Sequence, residues 1–209
     1  MASEVRGNAS SETLAGILVS AKRPAPAFFV KIVGVNIILE TKRLYLREMD
    51  EGDFDALKRV ISDPENMAFY PKPYDDDGVH RWISWCMKSY QEHGFGLWAV
   101  IAKDTDEMIG DCGVSMQPIN GRWVPEIGYH IRKDMHRMGY AKEAAEAVKK
   151  HFFSHFSFDE VFSYMEADNM PSYKTAEALG MTLRFTYETK DEQRLRVYSI
   201  TRKEWEERK

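Results

Sequence analysis

The sequence predicts an α+β domain, and three observations carry that reading. Val79, Trp82, Ile83, Cys86, Met87 and Tyr90 fall at the three-and-four spacing of one helix face. Short stretches of alternating apolar and polar residues recur through the chain as strand candidates, and Asn120-Gly121 supplies a tight hairpin turn between two of them. The predicted elements run strand, two helices, three antiparallel strands, helix, strand, helix, two strands, with no repeat and no long low-complexity linker inside 37–202.

In order, Ile37–Met49 reads as a strand because Leu44 and Leu46 alternate with Tyr45 and Arg47. Asp50 is placed to cap a helix over 51–62 with Phe54, Leu57, Val60 and Ile61 on one face, and Pro64 helps to close it. The 79–90 helix follows a turn-rich 71–77. Phe95–Ala102 and Met108–Met116 are strands around a polar turn, and Trp123–Arg132 is the fourth strand. Ala141, Ala144, Ala145, Val148 and Phe152 mark a helix over 139–155. Val161–Ala167 is the fifth strand. A helix then starts at Asp168 or Asn169 and stops at Gly180. Met181–Thr189 and Arg194–Thr201 close the domain as a hairpin. Residues 1–35 read as a tail or peripheral extension to a domain spanning 36–209, with Phe28–Val35 as a candidate extra strand.

Composition removes several function classes. A chain of 209 residues is long enough for one buried core. A net charge of -4 argues against general nucleic-acid binding and suits a cationic partner such as an amine. No apolar run approaches the roughly 20 residues that span a membrane. Cys86 and Cys112 lie far apart in apolar surroundings, so they read as buried hydrophobes rather than a disulfide or a metal site. The expectation is a cytoplasmic protein, monomer or homodimer, with no metal.

The chemistry centres on Met135–Ala144, where a strand ends, a tight turn holds Gly139 and a helix begins. The first turn of a helix carries N–H groups without internal partners and the positive end of the helix dipole. Gly139 and Ala141 allow close backbone approach, and Arg137 and Lys142 add positive charge, so the turn predicts a site for a phosphate or pyrophosphate. Neither the phosphate-loop pattern nor the dinucleotide fingerprint is present.

The turn resembles the acyl-donor motif of the GCN5-related N-acetyltransferases (GNAT), Gln/Arg-x-x-Gly-x-Gly/Ala. Here it reads His136-Arg137-Met138-Gly139-Tyr140-Ala141, with His136 in the slot usually held by Gln or Arg. The element order resembles the same fold. Leu39–Arg47, Asp168–Met181 and Tyr198–Trp205 resemble the group that acetylates ribosomal-protein N-termini (RimJ/RimL-like). The resemblance implies a mostly antiparallel mixed sheet, splayed between the fourth and fifth strands, with helices on both faces. It implies acetyl-CoA as co-substrate, held by Tyr129, His130 and Ile131 along the strand, by residues 136–141 at the turn, and by Asn169 on the pantetheine arm.

For the chemical step, alternation puts Glu126, Gly128, His130 and Arg132 on one strand face. Glu126 is the expected general base, able to hold an ammonium and take its proton, with His130 in reserve. The family's usual acid, a Tyr seven residues after the Asn, falls here on Ala176. The resemblance therefore points to Ser172 as acid, or to a thiolate that leaves unassisted. The acceptor stays open between a protein N-terminus and a small amine; the resemblance puts its wall near Met67–Tyr74, with Phe69, Tyr70, Trp82 and Trp123 as candidate lining aromatics and none of them assigned as a site. A coenzyme A sensor without turnover is the competing reading, kept in play by Ala176 and His136. A nucleotide-binding domain using the same helix N-terminus is a third.

Overall fold

The computed structural model describes residues 36–208. The candidate strand Phe28–Val35 lies outside them. Eight strands form one sheet. They are β1 (Ile37–Glu40), β2 (Leu44–Arg47), β3 (Leu97–Ala102), β4 (Glu107–Ile119), β5 (Arg122–Ile131), β6 (Glu160–Glu166), β7 (Thr182–Glu188) and β8 (Arg194–Thr201). Their spatial order is β1-β2-β3-β4-β5-β6-β8-β7. Every neighbouring pair is antiparallel except β5 and β6, which are parallel.

That parallel pair is the opening in the fold. β4 and β5 stay in register from Ile119–Arg122 out to Gly110–Ile131, whereas β5 and β6 meet in register only at Glu126 and Phe162. Beyond Glu126 the two strands diverge, and among the described residues no ladder partner replaces β6 along that side of β5.

Helices cover both faces. α1 (Phe54–Ile61) and α2 (Asp76–His93) bury Leu57, Val60, Ile61, Val79, Ile83 and Cys86 against Leu97, Ala99 and Ile101. α3 (Tyr140–His155) and α4 (Met170–Ala178) pack Ala144, Val148, Phe152 and Ala176 over Val114, Ile127 and Val161 on the other face. Both cysteines are buried and unpaired with each other. The stripe from Val79 to Tyr90 faces the sheet as its spacing requires, and Asp75 caps α2 by accepting from the Gly78 N–H at 2.8 Å.

The first predicted strand is two. Thr41 breaks it, its N–H donating to the Leu44 carbonyl while its hydroxyl oxygen accepts from the Leu44 N–H, so β1 folds back antiparallel on β2. The helix after Asp50 opens with a 3-10 turn at Glu51–Asp53 before α1. A terminal helix α5 (Arg202–Glu206) was not anticipated. Thr201 and Glu204 form a capping box that starts it, a pattern the sequence does carry.

Candidate active site

The turn before α3 is shaped by two left-handed residues, Arg137 at φ 61° and Gly139 at φ 82°. Gly139 stands at the helix N-cap and offers no side chain to it. Among the described residues, the backbone N–H groups of 137 to 142 find no protein acceptor, while the neighbouring N–H groups of His136 and Glu143 bond to Lys133 and Gly139 carbonyls. His136 to Gly139 are exposed, and Met138 is 51% exposed. Arg137 and Lys142 make no ion pair among the described residues. A run of outward amides at the positive end of a 16-residue helix is a fit for a diphosphate.

His136 has a mechanical role here. Its ring Nε2 donates to the Ile131 carbonyl at 2.7 Å, tying the turn to the end of β5. Arg43 ties the other side. Its guanidinium pairs with Glu143 at 2.6 Å, donates to the Met138 carbonyl at 2.9 Å and lies 4.2 Å over the Tyr140 ring. The sequence reading missed Arg43, because its partners are about a hundred residues away.

On β5, Glu126, Gly128 and His130 do share one face, the one that carries α1 and α2. Glu126 is buried and sits where β5 leaves β6. Its Oε2 accepts from the Ser115 hydroxyl at 3.5 Å and leans over Gly128, where a built Cβ would approach it to 3.3 Å. Burial pushes its carboxyl up to about 7, against the opposing pull of His130, Ser115 and the Tyr164 backbone N–H. Gly128 therefore puts no side chain of its own between a buried carboxyl and His130.

His130 is not alone. Its Nδ1 meets Asp111 Oδ1 at 2.7 Å, and its Nε2 meets the Tyr70 hydroxyl at 2.6 Å. Asp111 is fully buried, and its other oxygen accepts from Trp82 Nε1 at 2.9 Å. Trp82 and Tyr70 also pack on the His130 ring at centroid distances of 5.4 and 5.5 Å. The sequence reading did not name Asp111, and it offered Tyr70 only as one of several aromatics that could line the acceptor pocket, not as a partner of His130. One signal could have found Asp111. Asn120 and Gly121 both have positive φ, the mark of a two-residue hairpin turn. Such a turn pairs Ile119 with Arg122, and counting outward puts Asp111 opposite His130 and Ser115 opposite Glu126. Tyr70 lies in a loop, and no periodicity points to it.

Ser172 and Asn169 lie on the other face with α4. Asn169 caps that helix, its Oδ1 accepting from the Ser172 N–H at 3.2 Å. Tyr129, on the opposite face of β5 from Glu126, reaches α4. Its hydroxyl donates to the Ser172 carbonyl at 2.9 Å and stands 3.3 Å from Ser172 Oγ. Burial pushes that phenol up to about 12. Ala176 is buried in the core, and its methyl group has no proton to give. The expected set thus divides in two. Tyr129, Ser172 and Asn169 gather at the α4 side of the divergence, Glu126 and His130 at the α2 side.

Residues 43–182 match the family described as "Acetyltransferase (GNAT) domain". The chain belongs to the GNAT acetyltransferases. It is 32% identical to YkkB of Bacillus subtilis over 144 residues, 68% of this chain and 84% of that protein. It is 32% identical to an N-acetyltransferase, p20, of Bacillus licheniformis over 145 residues, 68% and 80% of the two chains. Among solved structures, an acetyltransferase from Agrobacterium tumefaciens superposes with a TM-score of 0.68 at 24% identity, over 84% of this chain and 99% of that one. RimL, a ribosomal-protein α-N-acetyltransferase, gives 0.66 at 19%, over 80% and 94%. These last two are likenesses of fold. As a GNAT member the protein is an acyltransferase. Among its described residues, no group of His, Cys, Asp and Glu is arranged to hold a metal, and no helix is long and apolar enough to cross a membrane.

Proposed function

We propose that this protein is an acetyl-CoA-dependent N-acetyltransferase that acetylates a primary amine by direct attack. The observation that carries the reading is Glu126, a buried carboxyl beside Gly128, at the point where β5 leaves β6. Acetyl-CoA would supply the activated acetyl thioester. Its diphosphate fits the outward amides at 137–142, with Arg137 and Lys142 beside them. Its pantetheine arm fits the edge of β5 that β6 leaves, from Tyr129 through His130 to Ile131, with Asn169 in reach from α4.

Glu126 takes the first proton. An amine of pKa about 10 arrives mostly as ammonium at neutral pH. A carboxyl raised to about 7 is half ionised there, so it can attract the cation and then accept its proton. A backbone N–H near His130 or Ile131 would polarise the carbonyl, an effect worth about 10²–10³ in rate when the donor is preorganised. Ser172 is the candidate proton source for the departing thiolate.

The acceptor is a protein N-terminus or a small amine. The local sequence likeness to the ribosomal-protein group favours the first, and RimL shares the fold. The test is thiol release from acetyl-CoA against a panel of peptides and amines, alongside thermal shift with coenzyme A. Glu126→Gln should keep the thermal shift and lose about 10²-fold or more in turnover. Equal turnover in the variant removes Glu126 as base. A parent protein that binds coenzyme A but acetylates nothing supports a sensor instead.

A further inference from the structure

The chain from Asp111 through His130 to Tyr70 has a direction that hydrogen-bond arithmetic supplies. Trp82 Nε1 can only donate, so it occupies one Asp111 oxygen as a donor. The other Asp111 oxygen also accepts, so His130 Nδ1 carries the ring proton. In the neutral ring Nε2 then holds a lone pair, and at 2.6 Å the Tyr70 O–H must donate to it. The Tyr70 proton is therefore committed to His130, and among the described residues nothing donates to the oxygen's remaining lone pairs. Tyr70 is part-buried, and Glu126, Asp111, Tyr164 and Tyr74 lie near enough to act on its phenol electrostatically. Burial, then Glu126, then Asp111 hold its phenol well above the usual range, so a free tyrosinate is not formed.

From this geometry we infer that Tyr70 is a catalytic residue, accepting the second proton of the amine while passing its own to His130, with Asp111 as the positioning residue for that ring. The inference rests on the acetyl-transfer reading and deepens it. Two protons must leave an ammonium that becomes an amide. Glu126 takes the first. The amine lone pair forms the new nitrogen–carbon bond, an N–H bond breaks with its electron pair staying on nitrogen, and the carbon–sulfur bond breaks with its pair leaving on the thiolate, which takes the proton from Ser172. The Tyr70 oxygen gains that proton, its former O–H bond breaks, and an N–H bond forms at His130 Nε2. The resulting imidazolium is neutralised by the buried Asp111 carboxylate. Once the product leaves, the proton returns through Tyr70 to water. No step requires Tyr70 to carry a full negative charge, which matches its surroundings of Glu126, Asp111, Tyr74 and Tyr164.

Two measurements test this. The first uses the unliganded protein with 15N-labelled histidine, the His130 signals being assigned by their loss in His130→Gln. The expected spectrum shows Nδ1 protonated and Nε2 accepting a hydrogen bond, and Tyr70→Phe moves Nε2 toward a bare ring nitrogen. A protonated Nε2 with an unprotonated Nδ1 overturns the inference. The second is a kinetic cycle of Tyr70→Phe, Asp111→Asn and their double variant, each checked for fold by circular dichroism and for retained coenzyme A binding. Each single variant should lose about 10²-fold in kcat with amine KM within a few-fold of the parent. The double variant should lose little more, because the residues act as a unit. The acid limb of the pH profile, set by Glu126, should remain in all three. Losses that multiply, or a Tyr70→Phe variant that raises amine KM with kcat intact, overturn it. A parent inactive toward every amine overturns the acetyl-transfer reading as well, and the histidine spectrum would then describe a structural triad only.

Discussion

At the scale of single residues, the site concentrates buried polar groups that a stability-optimised core would avoid. Glu126 is the clearest case. Its carboxyl titrates near 4.5 in the unfolded chain and near 7 in the folded one. A raised folded pKa means the native state holds the proton more tightly. The stability contributed by that group is fully present below pH 4.5, falls as pH rises through 7, and is gone above it. The loss is about 3 kcal/mol by pH 8, taking about 1.4 kcal/mol per pKa unit. Glu126→Gln removes the titration, so the variant should melt higher than the parent at pH 8, by roughly 5–10 °C for a chain of this size. At pH 5 the gap should shrink toward zero. Melting curves at the two pH values check this, and a variant equally or less stable at pH 8 refutes the buried-carboxyl account. Acetyl transfer should respond oppositely in the parent, falling as pH drops through about 7 and Glu126 becomes protonated. Glu126 was legible in the sequence because alternation alone orients a strand residue. The contact of Tyr70 with His130 and the staple by Arg43 were not, because their partners lie on elements far away in sequence, and no local period encodes such meetings.

At the scale of elements, the stretch that organises the site is the β5-turn-α3 junction, and its stiffness comes from outside it. The β1–β2 turn is stapled onto the first turn of α3. Thr41 Oγ1 and the Arg43 N–H both donate to Glu143 Oε1, at 2.6 and 2.9 Å, while the Arg43 side chain takes Oε2. With His136 holding the strand side, the amides of 137–142 are fixed before any ligand arrives. Preorganised donors lose less freedom on binding. Arg43→Met should therefore raise the acetyl-CoA KM about tenfold while leaving kcat within a few-fold. Steady-state kinetics at saturating amine measure this, and an unchanged donor KM would show the staple to be irrelevant to binding. The pair is partly exposed, so screening keeps its stability cost small, about 1 kcal/mol or less. Gly139→Ala acts on the same junction differently. A side chain at φ 82° is strained by about 1–2 kcal/mol, and its Cβ would sit 3.5 Å from Arg43 Nη2. Element types were readable here because apolar spacing and caps are local. The misreadings have local causes as well. Thr41 takes the Leu44 carbonyl and splits the first strand, and the Thr201–Glu204 capping box starts a last helix beyond the hairpin that was read as closing the domain.

At the scale of the whole molecule, the sheet is two units with one seam. β1 to β5 form a continuous antiparallel ladder, and β6, β8 and β7 form another. The seam between them holds a single in-register position, at Glu126 and Phe162. Elsewhere the halves are joined by α3 and α4 packing across Ile127, Val161 and Ala176. A strand edge without its ladder leaves backbone groups to water, and such places open locally at lower free energy than the core. A ligand with strand-like amides that lies in the seam would complete the hydrogen bonding on both sides. Coenzyme A should then protect amides unevenly. Exchange should slow most at 128–131 of β5, at 163–166 of β6 and at 137–142 of the turn. α1, whose residues pack on the opposite face away from the seam, should change little. At a ligand concentration near a hundred times Kd, the linkage is worth about 2.7 kcal/mol. That is enough to separate a local effect from a uniform rise in global stability, which would slow core amides in α1 and β3 by the same factor as the seam. Hydrogen-exchange mass spectrometry with peptides covering these segments distinguishes the two. Protection confined to 137–142 would place the diphosphate alone and remove the seam as the path of the pantetheine arm. Protection spread evenly over α1 and β3 would mean that the two half-sheets already behave as one unit without ligand.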